Sequence, residues 1–130
     1  MPLIKIYKHR KFENACGVRG DLDLKDSIKI IFLNNKSLEL KSVNDISIIF
    51  VQTQEPYENN IIVEVIHDLK PKRTKKVMDS VAKEVIEAIT NHYIKEFSEK
   101  DIRETLIEVF CFPFELAKRG YANNKKSPKG

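Results

Sequence analysis

The stretch Leu24-Lys-Asp-Ser-Ile-Lys-Ile-Ile-Phe-Leu-Asn-Asn-Lys-Ser-Leu-Glu-Leu40 decides the fold of this chain, and it reads two ways. Leu24, Ile28, Ile31 and Leu38 line one face of a helix, whereas Ile28, Ile30 and Phe32, followed by Asn34-Asn35 and then Leu38 and Leu40, alternate as a hairpin about an Asn-Asn turn. Local propensity leans slightly to the hairpin, so the decision comes from the flanks. Upstream, Leu3 to Tyr7 alternates as a short strand. Downstream, Ile46-Ser-Ile-Ile-Phe-Val51 and Ile61-Ile-Val-Glu-Val-Ile66 are dense in β-branched residues and are separated by the turn-rich Gln54-Glu-Pro-Tyr-Glu-Asn-Asn60. From about Arg73 to Phe97, Val77, Val81, Val85, Ile89 and Tyr93 recur every four residues with Met78, Ala82 and Ile86 beside them. Pro71 suits the start of that helix, Ser98 its end, and Thr105 to Phe112 is a last strand candidate. If residues 24–40 are helical, the chain is strand, helix, strand, repeated once. That internal echo favours the helix. The expected class is α+β: two βαβ units forming one four-stranded mixed sheet with two helices on one face.

Size and charge bound the rest. A chain of 130 residues suits one domain with one core, expected over residues 1–122. With 42% apolar and 32% charged residues it can bury a core and remain soluble. No apolar run approaches a membrane helix, and Met-Pro-Leu-Ile-Lys-Ile-Tyr-Lys-His-Arg-Lys11 lacks the features of a signal peptide, so a cytoplasmic protein with no membrane partner is expected. Cys16 and Cys111 stand in no metal-ligand spacing and are read as free thiols, with no metal and no cofactor expected. The formal charge of +4 is unevenly spread. Lys70-Pro-Lys-Arg-Thr-Lys-Lys76 holds five cations, and Asn123-Asn-Lys-Lys-Ser-Pro-Lys-Gly130, read as a disordered basic tail, holds three without an acid. No nucleic-acid-binding signature accompanies them, so nucleic acid is not an expected partner.

Met1-Pro2-Leu-Ile-Lys-Ile6 resembles the amino terminus of the tautomerase superfamily, which includes macrophage migration inhibitory factor, 5-carboxymethyl-2-hydroxymuconate isomerase and malonate semialdehyde decarboxylase. The second half resembles it more closely: a strand at Ile61 to Leu69, the basic turn Lys70-Pro71-Lys72-Arg73, a long helix ending Glu87-Ala-Ile-Thr-Asn-His-Tyr93, and Leu106-Ile-Glu-Val-Phe-Cys-Phe112. The resemblance spans most of residues 2–122. It implies the paired βαβ fold, a homotrimer in which strands of neighbouring subunits extend each sheet, and removal of the initiator methionine. Residues 8–23 fit the family poorly and look like an inserted loop.

The implied chemistry belongs to Pro2. Freed of Met1, it is a rigid secondary amine that can take a proton alpha to a carbonyl and return it elsewhere. Free α-amines are mostly protonated at neutral pH, so a base at this position needs burial and neighbouring cations, while a Pro2 that stays charged suits decarboxylation or hydration as an acid. Lys70 and Arg73, with Lys72, sit between a strand and a helix start, where backbone N–H groups add to side-chain charge and can hold a carboxylate. The run resembles the Arg-Pro-Arg of the decarboxylase branch, with lysine lacking the bidentate fork. Lys41 occupies the place of a substrate-binding lysine in the inhibitory-factor branch. Asp45 resembles the water-activating aspartate of the decarboxylase branch, with Asn44 its rival and a capping role its simpler reading. His67, closing a buried strand, and Glu108, on the last strand, are further pocket candidates; a satisfied structural histidine and a solvent-facing acid are the plainer alternatives. The expected function is a cofactor-independent tautomerase, isomerase or related lyase acting on a small carboxylated keto or enol acid. The alternative is a non-catalytic α+β oligomeric binding or assembly module: either a non-catalytic member of the same architecture, or an unrelated module in which a hairpin at 28–42 is real and the basic segments bind a partner.

Overall fold

The computed structural model describes residues 2–53, 60–95, 97, 99–114 and 124, without the side chains of 13–16, 18, 99, 100 and 114. Strand β1 spans Leu3–His9, helix α1 Arg10–Asn34, strand β2 Ser47–Thr53, strand β3 Asn60–Asp68, helix α2 Lys75–Tyr93, a short helix α3 Glu99–Arg103, and strand β4 Leu106–Phe114. Two 3-10 turns, Lys36–Leu38 and Val43–Asp45, join α1 to β2. The sheet order is β2-β1-β3-β4, with β1 and β2 parallel, β3 and β4 parallel, and the two pairs meeting antiparallel at β1 and β3. The expected pair of βαβ units in one mixed sheet is therefore present.

The ambiguous stretch resolves as helix up to Asn34, so a hairpin at 28–42 is excluded. Leu24, Ile28 and Phe32 recur every four residues and are buried, while Leu38 enters the core from the 3-10 turn that follows. The alternating apolar residues that mimicked a hairpin split between these two elements. Ile30, the odd member of the alternation, is exposed.

One expectation is corrected. Residues 8–23 are not an inserted loop: Lys8 and His9 complete β1, and α1 begins at Arg10, capped by His9, whose Nδ1 accepts the Lys11 N–H at 3.2 Å. Gly17 hid this helix. Its φ of 67° and ψ of −172° break α1 there, a conformation in which glycine is at ease and other residues are strained, so no continuous amphipathic stripe crosses it. Helix α2 is shorter than its stripe, because Thr74 caps it through the Val77 N–H and the turn at residues 71–72 precedes it.

Alternation along the strands settles which face is covered. Ile4 and Ile6 of β1, Ile48 of β2, and Ile61, Val63 and Val65 of β3 are buried in one cluster with Met78, Val81, Val85 and Ile89 of α2 and with Leu24, Ile28 and Phe32 of α1. Burying each such side chain contributes about 1.5–3 kcal/mol, which fixes the register of every strand. Phe12, Tyr93 and Phe97 close the core at the far end of α2, with ring centroids 5.2–6.2 Å apart. The opposite sheet face is open and leaves Ile49, Leu106, Phe110 and Phe112 exposed. The turn at 54–59 and the basic tail, apart from Asn124, lie outside the described residues.

Candidate active site

The sheet register brings most of the candidate residues to one end. Leu3 pairs with Ser47 of β2 and with Ile66 of β3, so Pro2, one step earlier, stands between Ile46 and His67. Pro2 is buried, its carbonyl accepts the Ser47 N–H at 3.0 Å, and β-strand alternation puts its ring on the helix-covered face beside the His67 side chain. On the β2 side lies the turn bearing Lys41 and Asp45. On the β3 side, Asp68 leads into the bend that carries Lys70, Lys72 and Arg73.

Each group has a definite role in that frame. Arg73 is only 5% exposed; its Nη2 donates to the Leu38 carbonyl at 2.7 Å and its Nη1 to the Asp68 carbonyl at 3.2 Å, while Nε is shielded without a partner among the described residues. Arg73 thus spends its two terminal nitrogens tying the end of β3 to the segment after α1, and burial holds its pKa below the usual arginine range. The solvent-facing cations of the bend are Lys70, partly exposed, and Lys72, whose Nζ lies 3.8 Å from Glu39 Oε1 in an exposed pair that contributes little. Helix α2 starts beside them with no acid in its first turn, so its free N–H groups add to the positive potential.

His67 is 2% exposed. Its Nδ1 lies 3.2 Å from the Asp68 carbonyl, the same oxygen that Arg73 bonds. A carbonyl only accepts, so Nδ1 carries the proton and the buried Nε2, which has no partner among the described residues, is left with a bare lone pair. Burial, and then the charge of Arg73, push the His67 pKa down and keep the ring neutral. Asp45 is turned away from the Pro2 row: its Oδ2 accepts the backbone N–H groups of Lys41 at 2.9 Å and Ser42 at 3.1 Å, closing a capping box with the Ser42 side chain. Those two donors hold its carboxyl below the ordinary range. Lys41 is exposed beside it.

Glu108 does not join this group within one subunit. It pairs with Ile62 in the middle of β3, whereas the row of His67 is that of Pro113, five residues away, or roughly 16 Å along the strand. Glu108 also faces the open side of the sheet. Cys111 is packed against the core and its thiol is pushed up to about 11 by burial; the Cys16 side chain lies outside the described residues.

A groove lined by described residues lies elsewhere. It holds about 540 Å³ between α1 and α2 at the opposite end of the sheet, lined by Arg19, Asp23, Ser27, His92 and Lys95 among others. Concavity alone therefore does not find the Pro2 end, where the argument rests on register, burial and charge. Sequence reading missed what the partnering revealed, namely Leu38 as the anchor of Arg73 and the Asp68 carbonyl as a shared acceptor. Main-chain acceptors leave no trace in residue types. No group of His, Cys, Asp and Glu among the described residues is arranged to hold a metal ion, and no helix among them is long and apolar enough to cross a membrane.

No protein-family model matches the chain, and no curated protein matches it. Solved structures do. A fused 4-OT described as an asymmetric trimer is 11% identical over 92% of this chain and 91% of its own, with a TM-score of 0.62. A 5-carboxymethyl-2-hydroxymuconate isomerase from Deinococcus radiodurans is 14% identical over 95% of this chain and 90% of its own, with a TM-score of 0.61. N1, a member of the cis-3-chloroacrylic acid dehalogenase family, is 10% identical over 92% of this chain and 79% of its own, with a TM-score of 0.53. All three belong to the tautomerase superfamily, and the chain has its fold.

Proposed function

We propose that the chain is a cofactor-independent tautomerase, isomerase or related lyase that acts on a small carboxylated keto or enol acid, with Pro2 as the proton-transfer group after loss of Met1. The observation that carries this reading is the position of Pro2: buried at the start of β1, level with His67, at the sheet end that also bears the Lys70–Arg73 bend. A secondary amine there is partly withdrawn from water, which favours its neutral, basic form. Lys70 and Lys72, with Lys41 across the site, bind the substrate carboxylate. Arg73 contributes its positive potential and holds the bend, and His67 and Asp45 shape the two walls.

The chain works as a homotrimer in this reading. The open sheet face, with Phe110 and Phe112 stacked 6.4 Å apart beside exposed Leu106, is the surface another subunit covers. Such an assembly brings Glu108 of one subunit towards a neighbour, and it encloses the Pro2 end. The enzyme acts in the cytoplasm, with no membrane or nucleic-acid partner.

Enol-to-keto conversion of phenylpyruvate and of 2-hydroxymuconate, followed by absorbance with the chain beginning at Pro2 and with Pro2→Ala, tests the proposal. Loss of at least tenfold in kcat/KM, about 1.4 kcal/mol of transition-state stabilisation, is expected for the variant. Equal rates reject Pro2 as the reacting group.

A further inference from the structure

The proton-transfer reading leaves open what holds the nitrogen of Pro2, and the ladder between β1 and β2 answers it. In a parallel pair each residue that bonds its neighbour directs its C=O and its nitrogen to the same side, and the two reach residues two apart on the neighbour. The Pro2 carbonyl takes the Ser47 N–H. The nitrogen of Pro2 is therefore directed at the main chain of residue 45. With Met1 attached that nitrogen is a tertiary amide and has no hydrogen to give. Among the described residues the Asp45 carbonyl accepts none of the turn and loop hydrogen bonds.

Asp45 is held still at this place. Its carboxylate receives two backbone N–H groups from Lys41 and Ser42, Ser42 Oγ accepts from the Asn44 N–H at 3.2 Å, and the Asp45 and Ile46 N–H groups close the turn onto Ser42 and Val43 at 3.0 and 3.3 Å. The side chain is thus committed to fixing the turn, and the main chain of the same residue faces the nitrogen.

We propose that Asp45 is a positioning residue for Pro2: removal of Met1 creates an N–H that donates to the Asp45 carbonyl, and the Asp45 carboxylate acts only by freezing the turn that presents this carbonyl. This rests on the proton-transfer reading and adds to it what orients the amine. It also differs from a role for the Asp45 carboxylate in activating water, because the charge of Asp45 is then dispensable so long as an oxygen remains to cap the turn. An acceptor on the amine favours its protonated form and partly offsets the surrounding cations. Among the described residues, the charged or titratable groups at this end are Glu39, Lys41 and Asp45 on the β2 side, His67 and Asp68 on the β3 side, and Lys70, Lys72 and Arg73 in the bend.

The test uses the chain beginning at Pro2, prepared by cleavage of an amino-terminal fusion and labelled with 15N-proline and 13C at carbonyls. Titration of the Pro2 15N resonance gives its pKa without reference to turnover. In the parent, the Asp45 carbonyl 13C shift should titrate together with Pro2. Asp45→Asn, which keeps a capping oxygen, should lower the Pro2 pKa clearly less than Asp45→Ala, which should lower it by roughly one unit. If Asn and Ala lower the pKa or kcat/KM equally, the carboxylate charge acts directly and the proposal is overturned; it is overturned as well if the Asp45 carbonyl does not follow the Pro2 titration. Should Pro2→Ala retain full activity while the Asp45 carbonyl still follows Pro2, the catalytic reading fails and the hydrogen bond stands.

Discussion

Arg73 and Leu38, 35 residues apart, are joined by a 2.7 Å hydrogen bond from the guanidinium Nη2 to the Leu38 carbonyl. The second Arg73 bond, to the Asp68 carbonyl, makes one side chain the tie between the end of β3 and the turn that follows α1. Both sides of the Pro2 end are thus held by a group that sequence reading assigned to substrate.

Arg73→Lys is expected to destabilise the fold by about 1–3 kcal/mol. Lysine keeps the charge but is a point donor on a flexible stem, so it cannot hold two carbonyls in the fork geometry, and one buried acceptor loses its partner. Urea denaturation monitored by circular dichroism gives the value. An Arg73→Lys chain as stable as the parent, with weakened binding of a small dicarboxylate, would return Arg73 to the substrate.

His67 makes stability depend on pH. Its pKa is depressed in the fold and ordinary, near 6.5, in the unfolded chain. Above about pH 7 the ring is neutral in both states and its contribution is complete. As pH falls through 6.5 the unfolded chain binds a proton that the native chain refuses, so stability drops until the folded pKa is passed. The slope from this residue is at most about 1.4 kcal/mol per pH unit. His92 is shifted the same way by burial and Lys8, so the comparison is between the parent and His67→Gln. Thermal melts from pH 7.5 to 5 should show a shallower decline in the variant; parallel curves would mean that His67 protonates freely in the fold.

Cys111 is expected to resist thiol reagents. Its pKa of about 11 leaves almost no thiolate at pH 8, and the side chain lies against the core. In a Cys16→Ser chain, which isolates it, labelling by a disulfide reagent should be slow in buffer and fast in denaturant. Rapid labelling of the native chain would show that β4 opens.

Sequence alone reached the four strands and α2, because those rest on alternation and on a four-residue stripe. It reached the second half of α1 but not the first, and one residue accounts for the difference. Gly17 bends the helix, so the apolar residues on its two sides do not share one periodic face, and the first turns read as a loop. Lys8 lies in the same misread region, and it is 2% exposed because partners from α1 and α2 reach it.

That buried lysine carries the last prediction. Lys8 Nζ donates to Asp21 Oδ1 and, at 3.2 Å, to the Tyr93 hydroxyl, and it lies 4.4 Å from the centre of the Phe50 ring. β1, α1, α2 and β2 meet on this one ammonium. The desolvation of such a cation is offset only while its carboxylate is present, so the two halves of the pair differ in consequence. Asp21→Ala strands a buried charge and is expected to destabilise by about 3–5 kcal/mol, whereas Lys8→Met removes the charge, fills the space with apolar atoms and leaves the less buried Asp21 able to turn to water, for a much smaller loss. Denaturant midpoints of the two variants and the double variant Lys8→Met/Asp21→Ala decide it. The double variant should recover most of what Asp21→Ala loses, and a double variant no more stable than Asp21→Ala would mean that Asp21 supports α1 independently of Lys8.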